Sequence, residues 1–189
     1  MEGGDPEVLF NYRITNIVAS LKMELIHLQD MCSLPNVRCN LQKFPACFVK
    51  LLKGSCNIFS TGTVTFLGYK RVEDIWNAVN ELSEAYNEVI NVTNKTPHVH
   101  NIACTFEMCL YDLDLQKTQQ LFLGEKFFAM YEPELCNGLQ LELSGKQRAI
   151  IHQSGKGILT GFTKEEDIVT SLTYITNFIL KHGKADSGQ

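Results

Sequence analysis

The chain contains two related copies of one pattern, and this repeat restricts the folds that it can adopt. Residues 14–28 align with residues 99–113 at an offset of 85, with five identities in fifteen positions. Residues 56–75 align with residues 149–168 at an offset of 93, with six identities in twenty. The increase of eight predicts an insertion in the second copy, within residues 113–130. Two copies of roughly ninety residues are too long for solenoid units and too few for a propeller, so we predict one pseudo-symmetric protein built from two similar halves.

Both copies show the same predicted order of secondary structure. Each opens with an apolar stretch typical of a strand, continues through a short helix and several strands, and closes with a helix. Apolar residues recur at helical spacing in both closing helices, and the predicted buried stripes include Trp76 and Val169. The turn glycines, which we expect to adopt positive φ, are Gly54, Gly62, Gly145 and Gly155. The pattern predicts an antiparallel sheet with helices on one face and the other face bare.

Composition and hydropathy are those of an ordinary globular protein. Hydrophobic residues make up 44% of the chain and charged residues 20%. No apolar run reaches the roughly 18 residues of a membrane span, so we expect no membrane partner. Residues 1–10 also lack the pattern of a secretory signal. Seven cysteines lie mostly among apolar neighbours without a CxxC pair, so we expect reduced structural thiols rather than a zinc site, in the cytosol or nucleus.

Charge and motif content do not indicate an enzyme. The formal net charge is −4, and neither half of the chain has the basic excess typical of a nucleic-acid footprint. A local basic face stays open, because net charge does not report how charge is distributed. No serine–histidine–acid combination or glycine-rich phosphate loop occurs in the sequence. We therefore predict no catalytic residues, no cofactor and no metal.

Several short motifs, in the same order in both copies, resemble the TATA-box-binding protein family. The most specific is YEPEL at residues 131–135, followed by Gly138. SGKGILTG at residues 154–161 resembles a hairpin of the family's second repeat, and NIV at residues 16–18 resembles the opening of its first repeat. The resemblance covers residues 12–183, so it concerns nearly the whole chain.

The resemblance implies an α+β fold known as the TATA-binding-protein saddle. In that fold two pseudo-symmetric repeats form one curved ten-stranded antiparallel sheet, with four helices on the convex face and DNA on the concave face. The implied domains are an N-terminal tail at residues 1–11, a first saddle repeat at 12–97, a second at 98–183 and a C-terminal tail at 184–189.

The resemblance also implies a set of DNA-binding positions. Asn16 and Asn101 would donate to base acceptors in the minor groove, and Phe44 and Phe59 would wedge into a base step and unstack it. Lys50 stands where the family has an arginine that reaches phosphate. The full set of matching positions is Asn16, Val18, Phe44, Lys50, Phe59, Thr65, Leu67, Asn101, Ile150, Lys156, Ile158 and Thr160. Outside this resemblance, the two phenylalanines also fit ordinary core positions.

The second copy departs from the family pattern at its own wedge. Cys136 and Asn137 stand where the family has phenylalanine and proline, and His152 stands where it has the other phenylalanine. Glu142 occupies a position that is arginine in the family, which replaces attraction to phosphate by repulsion. Cysteine and imidazole lack the apolar plate that offsets unstacking. These departures predict weak or partner-dependent binding to the minor groove of double-stranded DNA.

General transcription factors A and B are the protein partners that the resemblance implies. The expected contacts with factor B are Tyr131, Glu132, Glu134 and Leu135. If this stretch is extended, the two glutamates project on one side and Leu135 on the other. The loop of the first wedge and the nearby strand edge are expected to serve factor A.

Two functions are consistent with these observations. The first is a nuclear TATA-binding-protein-like general transcription factor for promoter recognition and transcription pre-initiation complex assembly, with weakened DNA kinking in its second half. The alternative is a saddle-fold protein-binding module that recruits or competes for general transcription factors without bending DNA. The changes at Cys136, Glu142 and His152 favour the alternative, whereas Phe44, Phe59 and the two asparagines favour the first.

Overall fold

The structure is a computed structural model that describes residues 9–25, 28–92 and 96–182. The predicted C-terminal tail, residues 184–189, lies outside these residues, as do residues 1–8 of the predicted N-terminal tail. At residue 10 the chain already enters the first strand.

Twelve strands, three α-helices and a 3₁₀ helix make up the described residues. The strands are β1 Phe10–Lys22, β2 Glu24–Leu25, β3 Val37–Cys39, β4 Ala46–Lys50, β5 Ser55–Phe59, β6 Thr63–Tyr69, β7 Ile90–Asn91, β8 His98–Met108, β9 Phe128–Met130, β10 Gly138–Glu142, β11 Arg148–His152 and β12 Lys156–Phe162. The α-helices are α1 Val72–Ala85, α2 Leu115–Gly124 and α3 Glu165–His182, and the 3₁₀ helix is Leu28–Ser33.

The strands and helices confirm the predicted α+β class. The main sheet has ten strands in the order β3-β4-β5-β6-β1-β8-β12-β11-β10-β9, and β2 pairs with β7 separately. The three α-helices and the 3₁₀ helix account for the four predicted helices. None of the helices in this part of the chain has the length and apolar character needed to cross a membrane.

The chain divides into two compact units, whose borders differ slightly from the repeats. The first unit is Ile14–Ile102. The second unit combines the chain before residue 14 with the chain from Ala103 onward. Its described N-terminal residues include the start of β1, and the Leu9 carbonyl accepts a hydrogen bond from the Cys109 N–H at 2.9 Å. The second unit is therefore completed by residues that precede the first.

The two halves pair their strands in the same register. Asn57 of β5 lies opposite Thr65 of β6, and Ile150 of β11 lies opposite Ile158 of β12. Each second-half residue follows its counterpart by 93 positions, which is the offset found in the sequence. A slip of one residue would turn every side chain of a strand to the other face. The sequence repeat is thus also a repeat of strand register.

Seven of the eight inserted residues lie between β8 and β9. Arg38 lies opposite Phe48 across β3 and β4, and Met130 lies opposite Gln140 across β9 and β10. Both strands of this pair are therefore offset by 92, against 85 at the opening strands. In this interval the second copy has the ten-residue helix α2, and the first copy has the six-residue 3₁₀ helix. The eighth residue lies between β10 and β11, outside the predicted range 113–130.

Both closing helices bury an apolar stripe. The buried positions are Ile75, Ala78, Val79 and Leu82 in α1 and Ile168, Leu172, Ile175, Thr176 and Ile179 in α3. A fully buried side chain of this size contributes about 1.5–3 kcal/mol relative to exposure. The prediction was wrong for Trp76 and Val169, which are substantially exposed, because they lie at the edges of the stripes.

Three of the four turn glycines adopt the predicted positive φ. The φ angles are 76° at Gly62, 77° at Gly155 and 56° at Gly145. The prediction was wrong for Gly54, which does not have positive φ. A Cβ at Gly54 would lie 2.5 Å from the ring of Tyr69, so glycine is required there by the close approach of that ring.

Replacing Gly155 by alanine should lower the free energy of unfolding more than replacing Gly145 by alanine. Both residues have positive φ, which costs a non-glycine residue about 1–3 kcal/mol. Only at Gly155 would the added Cβ also contact a backbone oxygen, that of Leu110, whereas Gly145 has open space. Urea unfolding followed by circular dichroism compares the two variants, and equal losses would contradict crowding at Gly155.

Candidate nucleic-acid interface

In the first unit, one face of the sheet leaves a row of side chains partly or fully exposed. Residues directly opposite each other in adjacent antiparallel strands project from the same face. One such row crosses five strands through Arg38, Phe48, Asn57, Thr65 and Ser20. The residues between these positions along each strand are largely buried. The row therefore defines a continuous surface on which a ligand can lie.

Several predicted DNA-binding residues lie on this same face. Lys50 is opposite Ser55, which is opposite Leu67, so these three form a second row beside the first. Thr65 belongs to the first row, and Val18 is a partly exposed position of β1 between two buried neighbours. Strand register thus brings together residues that are up to 49 positions apart in the sequence.

Asn16 is held in place by a hydrogen bond to the backbone. The Gly68 N–H donates to its side-chain Oδ1 at 3.0 Å, and Gly68 has a φ of 82°. Because the oxygen accepts this bond, the side-chain NH₂ is the donor group that Asn16 can offer to a ligand. Asn101, its counterpart at offset 85, occupies a partly exposed position in β8.

Phe44 and Phe59 form an aromatic pair at the end of the β4–β5 strand pair. Their ring centroids are 5.7 Å apart and their planes are inclined by 68°, an edge-to-face contact. Phe44 lies in the connection from β3 to β4 and is 49% exposed. Phe59 ends β5 and lies opposite Ala46. An apolar pair of this kind, half-exposed at the end of a strand pair, is not an ordinary core contact.

The second unit presents equivalent rows with different side chains. Ile150 and Ile158 continue the row of Gln140, and Ile158 is 43% exposed. Thr160 lies opposite Arg148, which lies opposite Glu142. Ile150, Ile158 and Thr160 therefore share one face, as the sequence resemblance implies.

The position equivalent to the aromatic pair is polar in the second unit. His152 ends β11 and lies opposite Gly138, the counterpart of Ala46. A Cβ at Gly138 would lie 3.2 Å from the imidazole, so the ring of His152 packs close to the backbone there. Cys136, which precedes Gly138 by two residues, is partly exposed. This end of the second unit offers an imidazole and a thiol where the first offers two phenyl rings.

Two basic side chains of the second unit, Arg148 and Lys156, are paired with acidic ones on the same surface. Arg148 Nη2 lies 3.0 Å from Glu142 Oε1, and Lys156 Nζ lies 3.5 Å from Glu107 Oε1. The repulsion predicted from Glu142 alone is therefore partly cancelled by Arg148. Because Arg148 and Lys156 are already paired with glutamates, neither is a free counter-charge for phosphate.

The ion pairs of the first unit, among its described residues, both involve Asp74 of α1. Arg71 and Lys53 contact this carboxylate at 3.1 and 2.9 Å. Hydrogen bonds from Arg71 and then Lys53 hold the pKa of Asp74 below its usual value. Lys50 is thus not part of these pairs.

A shallow cavity of about 430 Å³ lies on the second unit beside His152 and Lys156. Its lining includes Lys156 and Ile158, which the sequence predicted, and Arg13, Glu107 and His152, which were not predicted as binding residues. The alternation of side chains along β1 and β8 was the sequence signal that could have identified Arg13 and Glu107. The cavity has charges of both signs on its lining.

Tyr12 connects the start of β1 to the start of α3 within the second unit. Its hydroxyl donates to Glu165 Oε1 at 2.7 Å. This hydrogen bond, with burial and the negative charge of Glu165, raises the pKa of Tyr12 to about 12. Tyr12 is therefore protonated at neutral pH and keeps its donor role until strongly alkaline pH.

The predicted partner-binding residues form a turn rather than an extended stretch. The N–H groups of Leu135 and Cys136 both donate to the Glu132 carbonyl, at 2.9 and 2.8 Å. Pro133 favours this turn because its ring presets φ. The prediction that the glutamates and Leu135 project on opposite sides of an extended stretch was therefore wrong. Glu132 and Glu134 are exposed, Tyr131 is partly exposed, and Leu135 is 81% exposed.

Two cysteines form a disulfide that the sequence did not predict. Cys39 and Cys47 lie opposite each other across β3 and β4, with Cα atoms 4.5 Å apart, and their sulfurs are bonded. The expectation of reduced thiols was therefore wrong for this pair, because its proximity depends on strand register. Cys56 and Cys104 are free and buried, as expected. Burial raises the pKa of Cys56 to about 12 and that of Cys104 to about 11.

Alkylation by iodoacetamide at pH 8, without reductant, should therefore discriminate among the cysteines. The exposed Cys32 and Cys109 should react, whereas Cys56 and Cys104 should be protected, because burial and a raised pKa leave little accessible thiolate. Mass spectrometry of the peptides gives the extent of labelling at each site.

Reduction provides the control for this experiment. Cys39 and Cys47 should become available for labelling only after the disulfide has been reduced. Labelling of either one in the untreated folded protein would contradict the disulfide.

Comparison with known proteins places the chain in a family. The family model described as "Transcription factor TFIID (or TATA-binding protein, TBP)" matches residues 11–88 and 96–182. The TATA-box-binding protein of Methanothrix thermoacetophila is 30% identical over 164 residues, which are 82% of this chain and 87% of that protein. That of Methanocaldococcus jannaschii is 29% identical over 184 residues, 93% of this chain and 94% of that protein.

A solved structure leads to the same conclusion. "Methanococcus jannaschii TBP" matches with a TM-score of 0.76 and 26% identity, over 90% of this chain and 99% of that one. This likeness confirms the fold class implied by the sequence. The family match extends over both repeats, in the order in which the sequence motifs occur. The chain belongs to the TATA-binding protein family.

Proposed function

We propose that this protein is a general transcription factor that binds the minor groove of AT-rich promoter DNA, mainly through its first unit. Membership of the TATA-binding protein family supports a role in promoter recognition. The observation that carries the finer proposal is the difference between the two wedges. The first has the Phe44–Phe59 pair, and the second has Cys136 and His152.

The aromatic pair fits the chemistry of a kinked base step. Proteins of this family are the established example of apolar side chains that insert between base steps and kink the duplex toward the major groove. Phe44 is half-exposed and braced by Phe59. Unstacking costs a few kcal/mol per step, and an apolar ring that enters the step offsets part of this cost. Cys136 and His152 do not offer a comparable apolar surface.

Asn16 fits the donor pattern that the minor groove requires. Adenine N3 and thymine O2 are both acceptors, so an A·T-rich groove is read by donors. Since the Asn16 oxygen accepts from Gly68, the residue is oriented to present its NH₂ group. The partly exposed residues Val18, Thr65 and Leu67 provide small and apolar contacts on the same face.

Electrostatics make the binding weak in the second unit. Arg148 and Lys156 are each paired with a glutamate, so these two cations would contribute little counterion release when DNA binds. Each phosphate contact contributes about 0.9 to the slope of log affinity against log salt concentration. We therefore expect a shallow salt dependence and affinity that increases when general transcription factors are present.

Replacing Phe44 or Phe59 by alanine should remove most of the DNA bend. Loss of the wedge should also lower affinity for an AT-rich duplex about tenfold or more, which corresponds to roughly 1.4 kcal/mol. Energy transfer between dyes at the two duplex ends measures the bend, and a titration at several salt concentrations measures the affinity. Cys136→Ala and His152→Ala are the matched controls and should change both quantities little.

A gain-of-function variant extends this test. Cys136→Phe combined with His152→Phe should introduce a second kink and increase the bend, because it supplies the missing apolar pair. Equal losses in all four alanine variants would contradict the proposed difference between the two wedges.

The alternative function is a protein-binding module that does not bend DNA. The two ion pairs that neutralise Arg148 and Lys156 favour it, as does the net charge of −4. In the same titrations, no binding to duplex at low salt, with factor binding intact, would support this alternative over the first proposal.

The turn at residues 132–135 is the proposed contact with general transcription factor B. Its exposed features are the carboxylates of Glu132 and Glu134 and the side chain of Leu135, beside Tyr131. This combination suits a basic partner with an apolar contact. The loop that carries Phe44, with the nearby edge strand β3, is the proposed contact with factor A.

Charge reversal by Glu134→Arg should weaken factor B binding by about tenfold or more, because it replaces attraction with repulsion against a basic partner. Glu125→Arg, at an exposed residue after α2, makes the same change of charge outside the turn and should have little effect. Calorimetry measures binding and circular dichroism verifies the fold. Unchanged affinity of folded Glu134→Arg protein would leave the turn with a purely structural role.

The proposed location follows from the proposed function. In an organism with a nucleus this protein would act there, as the sequence resemblance implies. The relatives named above are archaeal proteins, and archaea have no nucleus. We therefore propose association with promoter DNA as the general statement, with no catalytic activity.

A further inference from the structure

Three cysteines converge at the base of the loop that carries Phe44. Cys39 belongs to β3, Cys47 to β4 and Cys32 to the 3₁₀ helix, which contacts both strands. Their Sγ atoms all lie within 4.8 Å of one another. Cys32 is exposed, Cys39 is partly exposed and Cys47 is buried. All three belong to the first unit.

We propose that the reduced protein binds Zn²⁺ through Cys32, Cys39 and Cys47. Thiolates are the preferred ligands of this ion, and a Zn–S bond of about 2.3 Å places tetrahedral sulfurs about 3.8 Å apart. Cys32 Sγ lies within 4.8 Å of both other sulfurs, and reduction of the disulfide lets Cys39 and Cys47 separate to this spacing, so side-chain movements of about 1–2 Å form the site. Water completes the fourth position.

The disulfide and the zinc site are mutually exclusive, because both use Cys39 and Cys47. A thiol reductant supplies two electrons and two protons to the Cys39–Cys47 bond and is itself oxidised to a disulfide. The two thiols, with Cys32, then release their protons to solvent as they bind the cation. The cluster therefore has a metal-free oxidised state and a metal-bound reduced state.

The location of this cluster gives the two states a structural consequence. The disulfide or the ion links Cys39 to Cys47, and the chain between them includes Phe44. Only the ion also links Cys32, so zinc would attach the base of this loop to the 3₁₀ helix. The metal site itself does not depend on the proposed DNA binding, and its test involves no DNA.

Cobalt is the probe for the site, because Co²⁺ occupies zinc sites and gives thiolate-to-metal charge-transfer absorption. The full chain is reduced with a phosphine, which does not compete as a thiol ligand, and titrated with Co²⁺ and then with Zn²⁺. We expect one Co²⁺ per chain, displaced by Zn²⁺, and no such absorption from the oxidised protein.

Single serine variants identify the ligands. Cys32→Ser, Cys39→Ser and Cys47→Ser should each weaken metal binding by more than the roughly 10- to 100-fold that loss of an outer-shell partner costs. Cys109→Ser, at another exposed cysteine, is the matched control and should bind like the unaltered protein. Cys32→Ser changes an exposed residue and leaves the disulfide pair in place, so it tests the site even if the strand variants fail to fold.

Two results would overturn the proposal. Reduced protein that gives no charge-transfer absorption would show that the cluster forms only a disulfide. Absorption that persists unchanged in folded Cys32→Ser protein would show that other ligands hold the ion.

Discussion

The register of the antiparallel strand pairs is the constraint on which the rest of the structure depends. Because side chains alternate between the two faces, register decides which residues are buried and which lie together on the exposed face. In the first unit it aligns Phe48, Asn57 and Thr65 across three strands. The same register aligns Gln140, Ile150 and Ile158 in the second unit. The repeat preserves this register while the exposed side chains have changed.

The two halves share one strand register, but their exposed surfaces differ in chemistry. The first unit has an aromatic pair at its end and lysine at residue 50, whereas the second has His152 and a glutamate at residue 142. The pairing of Arg148 with Glu142 shows how such a change is accommodated, since the two charges lie directly opposite each other and neutralise one another. An exposed pair of this kind adds little stability, so its main effect is on the potential that a ligand meets. This divergence is the basis of the asymmetric DNA binding that we propose.

Much of the fold was accessible from sequence because it depends on local patterns. Helical spacing predicted α1 and α3, and the repeat offset predicted the matching hairpins. Some errors arise because contacts distant in sequence override local preference, and one arises because a local turn signal was overlooked. Gly54 is required by the ring of Tyr69 rather than by its own φ, and Trp76 satisfies helical spacing but lies at the edge of the buried stripe. The turn at residues 132–135 was missed because Pro133 favours a turn where simple alternation suggested a strand.

The sequence by itself determined the two-fold repeat, the α+β class, the family and the positions where the second wedge departs from the first, because each of these is present in the order and spacing of residues. Only the tertiary structure decided which of those residues meet. It placed the Gly68 N–H against Asn16, joined Cys39 to Cys47 beside Cys32, and paired Arg148 and Lys156 of the second unit with glutamates. These contacts depend on how the strands pair, and a difference of one residue in register would abolish each cross-strand pair. For this reason the kind of surface could be predicted from the sequence, whereas its charge and its cysteine chemistry could not.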